Sequence, residues 1–140
     1  MQYGYPVRFE PNGDGGLCGT FRDVPEALTE VWPDEDKKAV ALDALITAID
    51  FYIEDQRKFP KPSKPQKGEE IVELPVSVVS KVLLLNLMVD EKVRPVDLAK
   101  KMGIRPQEVT RILDLHHNTK IDTVSNALRA LGKSLSLSLS

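Results

Sequence analysis

The sequence has little of the chemistry on which metal sites and cross-linked folds depend. It holds one cysteine, Cys18, and two adjacent histidines, His116 and His117, among 140 residues. A single cysteine cannot form an internal disulfide, which points to a reducing compartment. Adjacent residues on a helix point about 100° apart, and no Cys or Glu has metal-ligand spacing from these histidines. We therefore expect no cofactor and no metal.

Long apolar runs are also missing. None exceeds four residues, as at Val82–Leu85, whereas a membrane-spanning helix needs about 20. The opening residues Met1–Gly4 lack the basic start and apolar stretch of a signal peptide. The composition, 41% hydrophobic and 29% charged, is typical of a globular protein. These features predict a cytoplasmic protein with no membrane partner.

Charge is distributed unevenly along the chain, although the net charge is only −2. Residues 1–75 carry 9 Lys or Arg and 15 Asp or Glu, whereas residues 76–140 carry 10 and 6. The basic half could approach phosphates, and the acidic half suits a basic protein. We place one domain at 1–75 and a second at 76–140, each with its own partner. The alternative is ordinary variation in surface charge.

The first half has the pattern of a small sheet with one helix. Apolar side chains with a period of two, separated by turn residues, predict strands at 5–9, 17–22, 27–31 and 71–74. An apolar stripe that includes Leu45 and Ile49 predicts a helix over Asp34–Gln56, with acidic residues in its first turn. Phe59–Pro65 contains three prolines and is expected to be an extended linker or a return loop.

The second half has the pattern of several helices. Helices are expected from Ser77, which is a plausible N-cap, and over 96–102, 106–115 and 121–131. Gly132 is the expected C′ residue of the last helix. Leucines then alternate with serines over Leu135–Leu139, which predicts a strand. This strand either pairs with its copy in a second subunit, giving a two-fold dimer, or is a frayed tail.

The segment Val96–Leu113 resembles a helix-turn-helix of the Cro/cI type. Ala99 falls where the two helices cross, because a larger side chain there would push them apart. Gly103, four residues later, permits the tight turn. Pro106 suits the first position of the second helix, where its missing N–H donor is not needed.

The second of these helices would enter the major groove with its N-terminal residues foremost. Gln107 and Arg111 are four residues apart and share its outward face. Gln can pair with adenine and Arg with guanine, so we predict base contacts from both, and a base-methyl or phosphate contact from Thr110. Pro95 replaces a phosphate-binding Gln that related motifs often have, and Arg94 could substitute for it. The predicted phosphate contacts are Lys100, Lys101, Arg105, Asn118, Thr119 and Lys120.

Further segments extend the resemblance over nearly the whole chain. The hairpin run Gly15–Thr29, the helical run Ala44–Tyr52 and the stretches 74–86, 110–122 and 130–133 resemble, in order, the helix-turn-helix branch of the HicB antitoxins. Trp32-Pro33 departs from the pattern, since relatives often have Gly-Asp there.

The resemblance implies an α+β protein. Residues 1–75 would form a truncated RNase H-like domain that binds a HicA-type toxin, a small mRNA-cleaving protein with a double-stranded-RNA-binding-like fold. Residues 76–140 would form an all-α domain that binds operator DNA, represses its own promoter and assembles as a homodimer or higher oligomer in a bacterial cytoplasm. The residues that contact the toxin are not assigned.

Two other functions would make different demands on the chain. A regulator that senses a small molecule through its N-terminal domain, without a toxin partner, would need an apolar pocket with convergent polar groups in that domain. A nuclease would need carboxylates converging on one cavity, and the available ones lie in four different contexts: Glu10, Asp14, Asp23 and Asp43. We therefore predict that no residue is catalytic and that the protein is not an enzyme.

Overall fold

The computed structural model describes residues 3–140, so Met1 and Gln2, on which the signal-peptide prediction partly rests, lie outside the described residues. The strands are β1 (Gly4–Pro11), β2 (Leu17–Thr20), β3 (Leu28–Val31) and β4 (Glu70–Glu73). The helices are α1 (Lys37–Glu54), α2 (Val76–Asp90), α3 (Pro95–Met102), α4 (Pro106–Leu113) and α5 (Ile121–Ala130). The predicted α+β class is confirmed. Among residues 3–140, no helix combines the length and apolarity needed to cross a membrane.

The chain divides into two compact units. The first contains the described residues up to Phe51 together with Pro60–Pro75, and the second contains Tyr52–Phe59 and Val76–Ser140. Phe59 is held within the second unit by Asn86, whose Oδ1 accepts the Phe59 N–H (2.8 Å) and whose Nδ2 donates to the Phe59 carbonyl (3.0 Å). The segment Tyr52–Phe59 therefore belongs with the second unit, although it lies before the predicted boundary at residue 75.

The first unit is built on a four-stranded antiparallel sheet in the order β3-β2-β1-β4. Tyr5 and Val7 of β1 are fully buried, as are Leu45 and Ile49 of α1, so the helix supplies one side of the core. The hairpin between β1 and β2 is held by Asn12, whose Oδ1 accepts the N–H groups of Asp14 (2.9 Å) and Gly16 (3.2 Å).

The proline-rich segment is a return loop. The N–H and hydroxyl of Ser63 both donate to the Asp23 carboxylate, at 2.8 and 2.6 Å. The Tyr5 hydroxyl donates to the Pro60 carbonyl at 2.6 Å, and burial raises the pKa of this phenol. Asp23 therefore fastens a loop to the first unit, in keeping with a structural rather than a catalytic role.

The starts of α1 and α2 differ from the sequence-based prediction. Helix α1 begins at Lys37, not Asp34, and the first turn of α1 contains no acidic residue. Asp36 instead precedes the helix and accepts the Lys38 N–H at 3.1 Å, which satisfies one of the free donors at the helix start. Ser77 lies inside α2 rather than capping it, because the helix already begins at Val76.

The C-terminal boundaries also differ. Helix α4 ends at Leu113 rather than residue 115, because the backbone of Asp114 is extended. Gly132 has the positive φ (+83°) expected of a C′ residue. Residues 133–140 form neither helix nor strand in the single chain, and Leu137 and Leu139 are 76% and 102% exposed. The predicted strand is absent here, and its pairing with a second copy stays a prediction.

Candidate nucleic-acid interface

Helices α3 and α4 are joined by a tight turn at Gly103. Its φ of +69° and ψ of +33° lie in the left-handed region, where a side chain is disfavoured. The N–H of Ile104 donates to the Ala99 carbonyl at 3.0 Å, which closes the end of α3. A Cβ at residue 103 would meet no atom within 4 Å, so the glycine is required for backbone conformation rather than for space. Ala99 is 2% exposed, as its predicted place between the two helices requires.

Both helices begin in the same way. Each has proline at its first position, preceded by an arginine. The N–H of Arg94 donates to Asp97 Oδ2 (3.0 Å), and that of Arg105 donates to Glu108 Oε2 (2.8 Å). In each helix, a carboxylate in the first turn thus accepts a hydrogen bond from the backbone N–H of the residue three positions earlier. This bond defines where the helix starts.

Helix α4 has one buried and one exposed face. Val109 and Ile112 are 0% and 4% exposed and form part of the core of the second unit. Gln107 and Arg111 are exposed, which is what base contacts require. Thr110 is also exposed, and its hydroxyl donates to the Pro106 carbonyl at 3.3 Å. The roles of these three residues on DNA stay predictions.

The residues predicted to contact phosphate differ in exposure. Five of the six are exposed, namely Lys100, Lys101, Arg105, Asn118 and Lys120. Thr119 is half-buried, and its hydroxyl accepts a hydrogen bond from the Lys81 ammonium at 3.0 Å. Lys81 was not among the residues predicted from the sequence. Its position as a lone cation within the apolar run of α2 was the feature that could have indicated it.

Arg94 is the predicted substitute for a phosphate-binding glutamine. Its guanidinium forms an ion pair with Asp97, in the first turn of α3. Its Nε lies 3.2 Å from Asp97 Oδ2. The side-chain hydrogen bond from Arg94 lowers the pKa of Asp97, and the same bond raises the pKa of Arg94. A phosphate would therefore compete with a carboxylate for this guanidinium.

A groove of about 740 Å³ in the second unit brings cations together. Arg111, Lys120 and Arg129 line it together with one carboxylate, Glu108, and with apolar side chains that include Met102 and Ile104. Three cations on one groove favour an anionic or acidic partner. Within residues 3–140, no group of three or more His, Cys, Asp and Glu side chains is arranged to hold a metal ion.

The first unit contains a strongly acidic segment around the edge strand β3. Residues 23–36 contain six Asp or Glu and no Lys or Arg. Leu28 and Trp32 in this segment are 68% and 58% exposed, whereas Val31 is buried. Since alternate residues of a strand point to opposite faces, Leu28 and Glu30 share the outward side of β3. We call Glu26, Leu28, Glu30, Trp32 and Asp34 together the β3 surface.

A smaller groove of about 320 Å³ also lies in the first unit, beside β2 and β3. It is lined in part by Arg8 and Arg22, and both guanidiniums are already engaged: Arg22 Nε lies 2.9 Å from Glu69 Oε2, and Arg8 donates to the Lys67 carbonyl at 3.2 Å. The Arg22 hydrogen bond lowers the pKa of Glu69. These contacts of Arg8 and Arg22 hold separate segments of the first unit together.

Together these features define a class of protein, in which a small sheet-and-helix unit is joined to a helical unit with two short helices connected by a tight turn. A family model described as the HicB-like antitoxin of bacterial toxin–antitoxin systems matches residues 4–83. The chain belongs to this family of antitoxins, which confirms the family predicted from the sequence.

Named relatives extend the likeness beyond that match. Antitoxin HicB 2 of Photorhabdus laumondii subsp. laumondii is 52% identical over 133 residues, covering 95% of this chain and 94% of the relative. Antitoxin HicB 1 of the same organism is 50% identical over 135 residues, covering 96% and 86%. Antitoxin HicB of Escherichia coli (strain K12) is 46% identical over 133 residues, covering 95% and 96%. Alignments of this length must include most of the helical second unit.

Proposed function

We propose that this chain neutralises a HicA-type toxin through its first unit and represses its own operon by binding operator DNA through its second. It acts in the bacterial cytoplasm as a binding protein, not as an enzyme. Membership of the antitoxin family supports the first activity. The observation that carries the second is the exposed pair Gln107 and Arg111 on α4, the second helix of a helix-turn-helix.

The proposed DNA contacts divide into two kinds. Gln107 and Arg111 read base edges in the major groove, with Thr110 beside them. Lys100, Lys101, Arg105, Asn118 and Lys120 position the helix on the phosphate backbone. Six of the ten cations of residues 76–140 lie in the stretch from Arg94 to Lys120, so attraction to phosphate is concentrated around α3 and α4.

A titration of the full chain against two labelled duplexes tests repression at the level of binding. One duplex comes from the region upstream of its operon, and the other is a scrambled sequence of equal length and composition. At the same salt concentration we expect binding of the upstream duplex to be at least ~10³-fold tighter. Equal affinities for the two duplexes would contradict the repressor proposal.

For the toxin we propose the β3 surface as the contact site. A toxin that cleaves mRNA must hold phosphates, so its binding face is basic. The β3 surface offers acidic side chains around two exposed apolar ones, Leu28 and Trp32, the arrangement expected of apolar anchors inside a polar rim. Strand β3 also lies at the edge of the described sheet, where its backbone is free to meet a partner.

Co-expression with the neighbouring open reading frame tests the toxin partnership. We expect a small basic protein encoded there to co-purify with this chain, and its RNA cleavage to stop when the two are mixed in equal amounts. Cleavage that continues at saturating antitoxin would contradict neutralisation by masking.

We also propose that the chain binds DNA as a homodimer or higher oligomer. The support is the alternation of leucines with serines over Leu135–Leu139, in which Leu137 and Leu139 are exposed, a pattern suited to pairing with a second copy. A two-fold dimer would match the two half-sites of a palindromic operator.

A further inference from the structure

A buried lysine lies in the middle of the apolar helix α2. Lys81 is 2% exposed. Its ammonium donates to the carbonyl of Asp114, to the carbonyl of His117 (2.8 Å) and to the hydroxyl of Thr119 (3.0 Å). An ammonium has three N–H donors, and here each meets one acceptor. A buried charge without such partners would be strongly unfavourable, so the full set of bonds explains how α2 tolerates a lysine.

The three acceptors all belong to the connection between α4 and α5. Asp114 directly follows the last residue of α4, His117 lies in the middle of the connection, and Thr119 lies two residues before α5 begins. The Asp114 carbonyl is at the C-terminal end of α4, where a cation is favoured by the helix dipole. One side chain from α2 therefore holds the beginning, middle and end of this connection.

The same connection presents side chains in two directions. Thr119 is turned inward, and its hydroxyl lies 2.9 Å from His117 Nδ1 as well as bonding to Lys81. Its neighbours Asn118 and Lys120 are exposed. Fixing Thr119 inward thus fixes the outward direction of the residues on either side of it.

We propose that Lys81 is a positioning residue for DNA binding, which holds the connection after α4 so that Asn118 and Lys120 meet the phosphate backbone. This proposal rests on the proposed function, since it requires that α4 binds DNA. It also assigns Thr119 a different role from the phosphate contact predicted from sequence: Thr119 acts through the Lys81 bond and not on DNA. Burial lowers the pKa of Lys81, in keeping with an ammonium drawn out of water to make these bonds.

The test uses the full chain and three variants. Lys81→Met keeps the length of the side chain and removes the three donors. Thr119→Val removes one acceptor at a half-buried position and leaves Lys81 in place, which keeps the test valid if Lys81→Met fails to fold. Lys133→Met is the control, because it removes an exposed cation of the same unit outside the proposed interface.

Two measurements are made on each variant. Amide hydrogen exchange at His117 and Thr119, whose N–H groups bond within the connection, should be at least about tenfold faster in Lys81→Met, while exchange within α4 and α5 stays slow. Affinity for operator and scrambled DNA should fall by the same factor, about tenfold, with a shallower dependence on salt. Thr119→Val should shift both measurements in the same direction by less, and Lys133→Met should leave the exchange unchanged.

The outcomes separate this proposal from the one on which it rests. If the unsubstituted chain binds no DNA, the repressor function fails, while the exchange rates still decide whether Lys81 holds the connection. Unchanged exchange in a folded Lys81→Met, or in Thr119→Val if Lys81→Met does not fold, would overturn the positioning role. A loss confined to operator DNA would also overturn it, because it would indicate base reading instead.

Discussion

At the scale of single residues, adjacent positions of helix α4 carry one buried and one exposed side chain. Val109 and Ile112 are buried, whereas Thr110 and Arg111 between them are exposed. This division follows from the 3.6-residue period of a helix, and it places one face of α4 in the core and leaves the other face exposed. Substitutions on its exposed face can therefore change binding without changing the fold.

Arg111 and Lys100 should respond differently to substitution by alanine. Arg111→Ala should weaken operator binding by about 1–3 kcal/mol and relax the preference at one base pair, because a guanidinium can pair with guanine through two bonds. Lys100→Ala should weaken binding to all DNA sequences by the same factor, and it should reduce the slope of log affinity against log salt concentration by about 0.9. Binding titrations against a set of single-base operator variants at several salt concentrations distinguish the two. Equal losses for Arg111→Ala on operator and scrambled DNA would rule out base reading.

Gly103 tests whether the turn depends on backbone conformation alone. Gly103→Ala should destabilise the fold by about 1–2 kcal/mol, because L-residues are disfavoured in the left-handed region and no atom crowds the new Cβ. Gly103→Asn should be less harmful, since asparagine tolerates this region better. Urea unfolding monitored by circular dichroism gives both free energies. An Ala variant as stable as the unsubstituted chain would show that the turn does not require this conformation.

At the scale of elements, the position of a strand in the sheet decides what its side chains can do. Strand β1 lies between two neighbours, and its Tyr5 and Val7 are buried. Within residues 3–140, strand β3 has a neighbour on one side only. It carries exposed Leu28 at its start and is followed by exposed Trp32. An edge strand with apolar side chains exposed in an acidic segment is a liability unless a partner covers it.

The β3 surface should account for much of the affinity for the toxin. Trp32→Ala should weaken the complex by roughly 2 kcal/mol or more, as for a central aromatic anchor, and Leu28→Ser by less. Phe51→Ser is the matched control, because Phe51 is a similarly exposed apolar residue (56%) on α1, outside this surface. Calorimetric titration of each variant with the purified toxin measures the change. If Phe51→Ser is the more damaging substitution, the toxin binds α1 and not β3.

At the scale of the whole molecule, two units of opposite charge balance are combined in one chain. The acidic surplus lies in residues 1–75 and the basic surplus in residues 76–140. These charge balances suit the two proposed partners, a basic protein for the acidic unit and a nucleic acid for the basic unit. Oligomerisation would then link the two activities, since a palindromic operator needs two copies of α4.

The leucine-serine tail should control the number of copies. Replacing Leu137 and Leu139 together by serine should lower the mass measured by sedimentation and weaken operator binding, because pairing of the tails would be lost. Replacing Ser136 and Ser138 by alanine, on the alternate positions, should leave the mass unchanged. Toxin binding should be the same in all three proteins. An unchanged mass in the leucine variant would show that the tail is frayed and that the subunits associate elsewhere.

The sequence by itself determined those features that depend on local periodicity and special residues. Alternation and the apolar stripe located the four strands and α1, and the spacing of Ala99, Gly103 and Pro106 located the turn between two short helices. Element boundaries were less accurate, as at the starts of α1 and α2, because a cap depends on which side chain reaches the free N–H groups. The family resemblance was available from sequence because its segments occur in order over nearly the whole chain.

Only the tertiary structure decided which distant residues meet. Ser63 fastens to Asp23, Asn86 holds Phe59, and Lys81 bonds to a connection more than 30 residues later in the chain. None of these pairings has a sequence period, since each depends on how separate elements pack. A lysine in an apolar helix is conspicuous in the sequence, but its role becomes evident only when three acceptors surround its ammonium. The physical reason is that secondary structure follows from local patterns, whereas the partners of buried polar groups follow from the packed fold.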